Sequence, residues 1–133
     1  MNVLEVFAAD KEAAARLYGI YASRFAGYGL FWRSLAAGES SHAALLRKYT
    51  RGAAIPAGTP LPLSAFLDKE LNISGEPRLS LLHTLTAAFE IEQQMTGVAL
   101  PTSAEEPGSA LAEIRRADEA HLEMVRAMMV KFS

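Results

Sequence analysis

The distribution of apolar positions predicts four long amphipathic helices. In each of four segments, apolar residues recur at alternating spacings of three and four, the period of a helix face that packs against other helices. The segments cover about residues 3–26, 30–51, 78–100 and 109–132. Strand-like alternation of apolar and polar residues is rare. The pattern therefore predicts an all-α fold, with residues 1–133 forming a single domain.

The connections between these segments indicate a topology. The short glycine-rich break at residues 27–29 favours antiparallel packing of the first two helices. Residues 52–77 carry four prolines and three glycines, and a connection of this length needs a reason in a compact domain. An end-to-end crossover would supply one. We expect a short amphipathic helix at 63–71 within it, Pro77 at the start of the third helix, and Ser109 as the cap of the fourth.

The most informative polar feature is a carboxylate followed three residues later by a histidine, in both the second and the fourth helix. The pairs are Glu39/His42 and Asp118/His121. Positions i and i+3 lie on one helix face, so each pair can direct an oxygen and a nitrogen ligand at one point. Both pairs interrupt lines of apolar residues, where charge needs compensation such as a metal ion supplies. Buried hydrogen-bonded pairs or solvated faces are the alternative interpretation.

Each of the other two helices would supply one further carboxylate. In the third helix Glu92 lies on the apolar line that begins at Leu82, whereas Glu90 points elsewhere. In the first helix the apolar line passes through Lys11, with Asp10 on one side and Glu12 on the other. We predict Glu12 as the ligand, because an alanine precedes it by four residues, as one precedes Glu92.

Composition narrows the classes of function. The chain has no cysteine, which excludes disulfides, iron–sulfur clusters and thiolate zinc sites. A net charge of −2 without a basic run gives no electrostatic case for nucleic acid. Apolar stretches are too short and interrupted to span a bilayer. The N-terminus lacks the features of a signal peptide, so we expect a cytoplasmic protein. His83 follows no acid at this spacing, and we expect it at the surface or a helix start.

With these residues in place, the chain resembles the rubrerythrin-like branch of the ferritin-like superfamily. Residues 31–43, FWRSLAAGESSHA, are similar to the second-helix pattern of that family, an aromatic followed by Leu-Ala-x-x-Glu-x-x-His-Ala. Residues 116–123, RADEAHLE, are similar to its fourth-helix pattern, in which Glu-x-x-His is usual. The resemblance implies a ferritin-like antiparallel four-helix bundle with a long crossover between helices 2 and 3.

The resemblance also implies a di-metal site, with two iron ions expected and manganese or zinc as alternatives. Carried over by position, its metal ligands would be Glu12, Glu39, His42, Glu92, Asp118 and His121. The implied activity is peroxide reduction, ferrous oxidation or related oxygen chemistry. Without the cysteine-ligated iron domain of rubrerythrins proper, electrons would come from an external donor. A homodimer is common in the family.

Departures from the family pattern keep a second interpretation open. Asp118 is one methylene shorter than the usual Glu. The family often has a tyrosine seven residues after the first-helix ligand, and Tyr18 stands seven residues after Lys11, not after Glu12. An ammonium at that position would replace a metal's charge by pairing with acids. The alternative is thus a metal-free or metal-depleted ferritin-like bundle that acts as a binding or scaffold protein. An iron-storing cage is a third hypothesis.

Overall fold

A computed structural model describes residues 3–50, 62–98 and 109–132, and these residues form helices without a strand. The elements are α1 (Val3–Arg24), a 3₁₀ turn (Ala26–Tyr28), α2 (Gly29–Thr50), α3 (Pro62–Ile73), α4 (Leu81–Thr96) and α5 (Ala110–Val130). The predicted all-α class is confirmed. None of the described helices is long and apolar enough to cross a membrane.

The predicted crossover contains a helix of its own. The short helix expected at 63–71 is confirmed. The observed helix, α3, is slightly longer than predicted and spans twelve residues. Residues 52–61 of the crossover, the last predicted residue of the second helix at 51, and the predicted end of the third helix with its loop at 99–108 lie outside the described residues.

Serine caps decide where the last two helices begin. The Ser109 side chain accepts a hydrogen bond from the Ala112 N–H, which confirms the predicted cap. α4 starts after Ser80, whose side chain accepts from the His83 N–H, and not at Pro77 as predicted. A serine oxygen satisfies one of the N–H groups left free at a helix start, whereas Pro77 offers no such acceptor.

The chain divides into two compact units, Met1–Ser74 and Gly75–Ser133. The single domain and the four-helix bundle therefore stay predictions, and each unit is described on its own. In the first, α1 packs against both α2 and α3. Its core is apolar and aromatic, and it includes Leu4, Phe7, Leu17, Tyr18, Tyr21, Trp32, Leu35, Leu46, Leu63 and Leu67.

The helix directions in the first unit follow from side-chain contacts. The Tyr18 and Trp32 rings lie 5.7 Å apart, and Lys11, earlier in α1, contacts Glu39, later in α2. α1 and α2 are thus antiparallel, as the short break predicted. α3 runs in the same direction as α1, since Ser64 near its start donates to Asp10 and Arg24 at the end of α1 donates to the Ser74 carbonyl just after α3.

The second unit is an antiparallel pair of helices. The Arg115 guanidinium at the start of α5 donates to the Val98 carbonyl just after α4. The facing stripes are apolar, with Leu85, Ala88, Ile91 and Met95 on α4 and Leu111, Ile114 and Val125 on α5. Leu82, predicted as the first core residue of α4, is instead exposed, because it lies in the first turn of a helix that starts later than predicted.

Candidate metal site

Three of the predicted ligands meet within the second unit. Glu92 on α4 and Asp118 and His121 on α5 each offer one ligand atom, and these atoms lie within 4.8 Å of one another. The Glu92 side chain is fully buried, and Asp118 is 1% exposed. The His121 side chain retains 12% exposure. Two carboxylates and an imidazole thus converge between α4 and α5.

The apolar stripes carry these polar side chains inward. Glu92 follows Ala88 by four residues on the buried face of α4, and Asp118 follows Ile114 by four residues on α5. His121 comes three residues after Asp118, so its ring lies on the same side of α5. The carboxylate-x-x-His spacing thus places an oxygen and a nitrogen donor together, as the sequence predicted.

The His121 ring is held by a carboxylate. Its Nδ1 lies 3.2 Å from Glu92 Oε1, within hydrogen-bond distance when this ring nitrogen carries the proton. When both are ionised, the carboxylates of Glu92 and Asp118 repel each other at this buried position, where water screens little of the repulsion. A divalent cation would offset this repulsion, so the charge balance of the site favours one.

The donor set suits a metal of intermediate hardness. Two carboxylate oxygens and an imidazole nitrogen are donors that iron, manganese and zinc accept. Three protein ligands leave room for a further ligand, as in catalytic metal sites. In a tetrahedral site with bonds of about 2.1 Å, ligand atoms lie about 3.4 Å apart, so ligand atoms that lie within 4.8 Å of one another would move closer together on binding a metal.

The carboxylate-x-x-His pair of the first unit meets an ammonium group. Lys11 Nζ donates to Glu39 Oε2 at 2.9 Å, and both side chains are fully buried. The same nitrogen lies 3.4 Å from His42 Nδ1 and 4.9 Å from the centroid of the Phe7 ring. The predicted pairing of a Lys11 ammonium with an acid is therefore confirmed.

The structure does not bring Glu12 to Glu39 and His42. The Glu12 side chain is 42% exposed, and its oxygens accept from Arg47 Nε at 2.6 Å and Nη2 at 3.0 Å. These hydrogen bonds hold the pKa of the Glu12 carboxyl below its usual value. Successive helix residues are about 100° apart, so with Lys11 facing the interior, Glu12 turns toward solvent.

Sequence reasoning missed the polar contact between α1 and α3. Asp10 is 4% exposed, and its Oδ1 accepts a 2.7 Å hydrogen bond from the Ser64 hydroxyl. Burial raises the pKa of Asp10, the Ser64 hydrogen bond partly opposes the shift, and Asp68 adds to it. Only the spacing of apolar residues in α3 could have signalled this contact, and spacing does not identify the partner helix.

The aromatic residues of α1 and α2 pack as core. Tyr21 and Trp32 form an edge-on pair with centroids 4.9 Å apart. Burial, with a smaller contribution from Glu70, raises the pKa of the Tyr21 hydroxyl, so this phenol stays protonated at neutral pH. His83 is exposed in the first turn of α4, where the sequence predicted it.

Comparison with known proteins identifies no relative. No family model, no curated protein and no solved structure matches the chain. A functional assignment therefore depends on the residues and on the geometry of the two carboxylate–histidine pairs.

Proposed function

We propose that the protein is a ferritin-like, rubrerythrin-like carboxylate metalloprotein, and that Glu92, Asp118 and His121 bind its metal. The convergence of these three side chains within the second unit carries the proposal. Two buried carboxylates without a cation are costly, and an imidazole at the same point completes a metal-binding donor set. The ferritin-like bundle is the fold that the sequence resemblance implies for this proposal.

Iron is the metal that the proposal favours, with manganese or zinc as alternatives. Bound ferrous iron would give electrons to peroxide, which is reduced, or to oxygen as the iron is oxidised, and this is the chemistry of the resembled family. The chain's own residues would hold the ion and limit the access of water. The Glu92 carboxylate, already in contact with Nδ1 of His121, would also fix the orientation of the ring. An external electron donor and a homodimer belong to the same proposal.

The two-metal form of the proposal needs the other carboxylate–histidine pair as well. In the resembled family both carboxylate–histidine pairs provide metal ligands, which here would add Glu39 and His42. If this form holds, the wild-type protein binds about two ions per chain, and Glu39→Gln weakens metal binding as much as Asp118→Asn does.

Metal content is the first test. We expect the full chain, dialysed anaerobically against ferrous iron, to retain at least about one ion per chain, because three ligands converge in a buried site. His121→Ala should lose this ion, since it removes the only nitrogen donor of the cluster. His83→Ala is the matched control, because His83 is exposed at the start of α4, and it should bind as the wild type does. A wild-type chain that retains much less than one ion contradicts the proposal.

Oxygen chemistry requires a second measurement. Peroxide added to the ferrous protein should oxidise the iron and change the absorption spectrum, and the change should be lost in His121→Ala. If the protein binds iron but does not react with peroxide, the proposed metal binding stands and the proposed redox activity is refuted.

The Lys11–Glu39 contact favours a second candidate function. A buried ammonium already neutralises one carboxylate of the predicted ligand set, as expected of a bundle that has given up metal and serves as a binding or scaffold protein. For this candidate, neither iron nor a chelator changes the thermal stability of the wild-type protein, since no ion binds the folded state.

A further inference from the structure

We propose that Lys11 prevents metal binding in the first unit, where its ammonium takes the position of a cation beside Glu39 and His42. The protein would then bind one metal ion per chain, in the second unit alone. This inference depends on the proposed function in one respect, since it takes a divalent metal as the natural ligand of a carboxylate–histidine pair.

The ammonium engages both donors of the pair. Lys11 Nζ lies 2.9 Å from Glu39 Oε2 and 3.4 Å from His42 Nδ1. An ammonium only donates hydrogen bonds, so the Nδ1 that faces it presents its lone pair. The lone pairs of this nitrogen and of the carboxylate oxygen are the ones that would bind a metal. The ammonium has no lone pair, so Lys11 cannot itself be a ligand.

The two units repeat one layout with one difference in charge. In each, an antiparallel helix pair places a fully buried residue of its first helix against a histidine of its second, at 3.4 Å for Lys11 and His42 and at 3.2 Å for Glu92 and His121. Each histidine follows its acid by three residues. Lys11 therefore occupies in the first unit the place that Glu92 occupies in the second.

Charge then explains why only one unit attracts a cation. In the first unit the ammonium of Lys11 and the carboxylate of Glu39 sum to zero, +1 and −1. In the second unit two acidic residues, Glu92 and Asp118, converge with the histidine, and their formal charges sum to −2 when both are ionised. A divalent ion entering the first unit would meet a buried positive charge, and water screens such repulsion poorly.

Replacing Lys11 by a carboxylate should therefore create a metal site. We place the test in a full chain carrying His121→Ala, so that the second unit does not contribute ions, and measure Mn²⁺ by equilibrium dialysis. His121→Ala alone should bind no ion tightly. Adding Lys11→Glu should give about one ion per chain, because two carboxylates and an imidazole then converge. His42→Ala on top of both changes should abolish it.

Lys69→Glu is the matched control. It makes the same change in charge on an exposed lysine, so with His121→Ala it should gain no ion. The inference is wrong if the chain with Lys11→Glu and His121→Ala, shown to be folded by its helical circular dichroism, binds no more Mn²⁺ than this control.

Lys11→Met keeps the inference testable if the glutamate variant does not fold. Methionine removes the ammonium without adding a charge and leaves Glu39 and His42 to an ion. In the His121→Ala background, Mn²⁺ should raise the melting temperature of Lys11→Met by several degrees and leave the parent unchanged. Equal responses of the two proteins would overturn the inference.

The outcomes separate this inference from the proposed function. A wild-type chain without metal refutes the proposed function, yet a gain of one ion on Lys11→Glu would still assign the blocking role to Lys11. Conversely, a wild-type chain that binds two ions refutes the role of Lys11 but not metal binding by the protein. The same holds if the wild type binds one ion and Lys11→Glu gains none.

Discussion

Lys11 and Glu39 show how much one side chain decides in this fold. Both charges are fully buried, so each has lost its hydration and each is compensated by the other. Such a pair adds little net stability compared with apolar residues, but removal of one partner leaves an uncompensated buried charge. Substitution of one of the two residues should therefore lower the free energy of unfolding by much more than the pair contributes to it compared with two apolar residues.

Lys11→Met should lower the free energy of unfolding by about 3–5 kcal/mol in metal-free buffer, because it strands the Glu39 carboxylate. Urea unfolding in the presence of a chelator measures this. Combining Lys11→Met with Glu39→Met should recover most of the loss, since neither charge remains. Arg47→Ala, which breaks the exposed pair with Glu12, is the control and should cost at most about 1 kcal/mol. Similar losses for both single variants would contradict the account.

At this scale, the sequence predicts a residue well where an apolar stripe fixes its direction. Glu92, Asp118 and His121 lie on such stripes, and the structure brings them together. The analogy with Glu92 predicts Glu12 as the ligand of α1, whereas the apolar spacing of α1 passes through Lys11. The structure follows the spacing and not the analogy, because a shift of one residue turns a side chain by about 100°.

At the scale of the helices, two serine caps stabilise the starts of α4 and α5 in the second unit. Ser80→Ala and Ser109→Ala should each lower the free energy of unfolding by about 1 kcal/mol, because each leaves a helix N–H without its acceptor. Chemical denaturation of the single variants tests this. Ser40→Ala, at an exposed position within α2, should change stability by less than about 0.5 kcal/mol, and an equal effect there would remove the capping explanation.

The contact of Asp10 with α3 makes the free energy of unfolding depend on pH. Burial raises the folded-state pKa of Asp10 above its ordinary value of 3.8, so ionisation costs more in the folded than in the unfolded chain. The stability that protonated Asp10 contributes is full below pH 3.8 and is lost as the pH rises through the folded-state pKa.

Asp10→Asn should remove this pH dependence. Its free energy of unfolding, relative to that of the wild type, should increase as the pH rises above about 4, because only the wild type must ionise a buried acid. Urea titrations at several pH values measure the difference, with Glu119→Gln, which removes an exposed carboxylate of α5, as the control. A difference that stays constant with pH would contradict the burial argument.

Helix prediction worked because the apolar period is a local property, whereas packing partners are not. The α3 helix was predicted from its amphipathic sequence, but its contact with Asp10 joins residues 54 positions apart. No local pattern encodes such a contact. The predicted start of α4 at Pro77 is too early, because both a proline and a serine favour a helix start and the sequence alone does not distinguish Ser80 from Pro77.

At the scale of the whole molecule, metal binding should appear as stability. A ligand at about 100 times its dissociation constant adds about 2.7 kcal/mol to the free energy of unfolding. We expect Mn²⁺ to raise the melting temperature of the full chain and a chelator to lower it again. His121→Ala should melt at one temperature in both conditions, whereas His83→Ala should respond as the wild type does. An unchanged response of His121→Ala would place the ion elsewhere.

The central claim is that Asp118, with Glu92 and His121, binds one metal ion per chain. Calorimetric titration of the full chain with Mn²⁺ tests it most directly, with Asp118→Asn as the variant and Asp68→Asn as the control at an exposed aspartate. The account predicts about one ion for the wild type and the control, and at least about tenfold weaker binding for Asp118→Asn, as expected on loss of a charged ligand. Absence of binding by the wild type, or equal binding by Asp118→Asn, would contradict it.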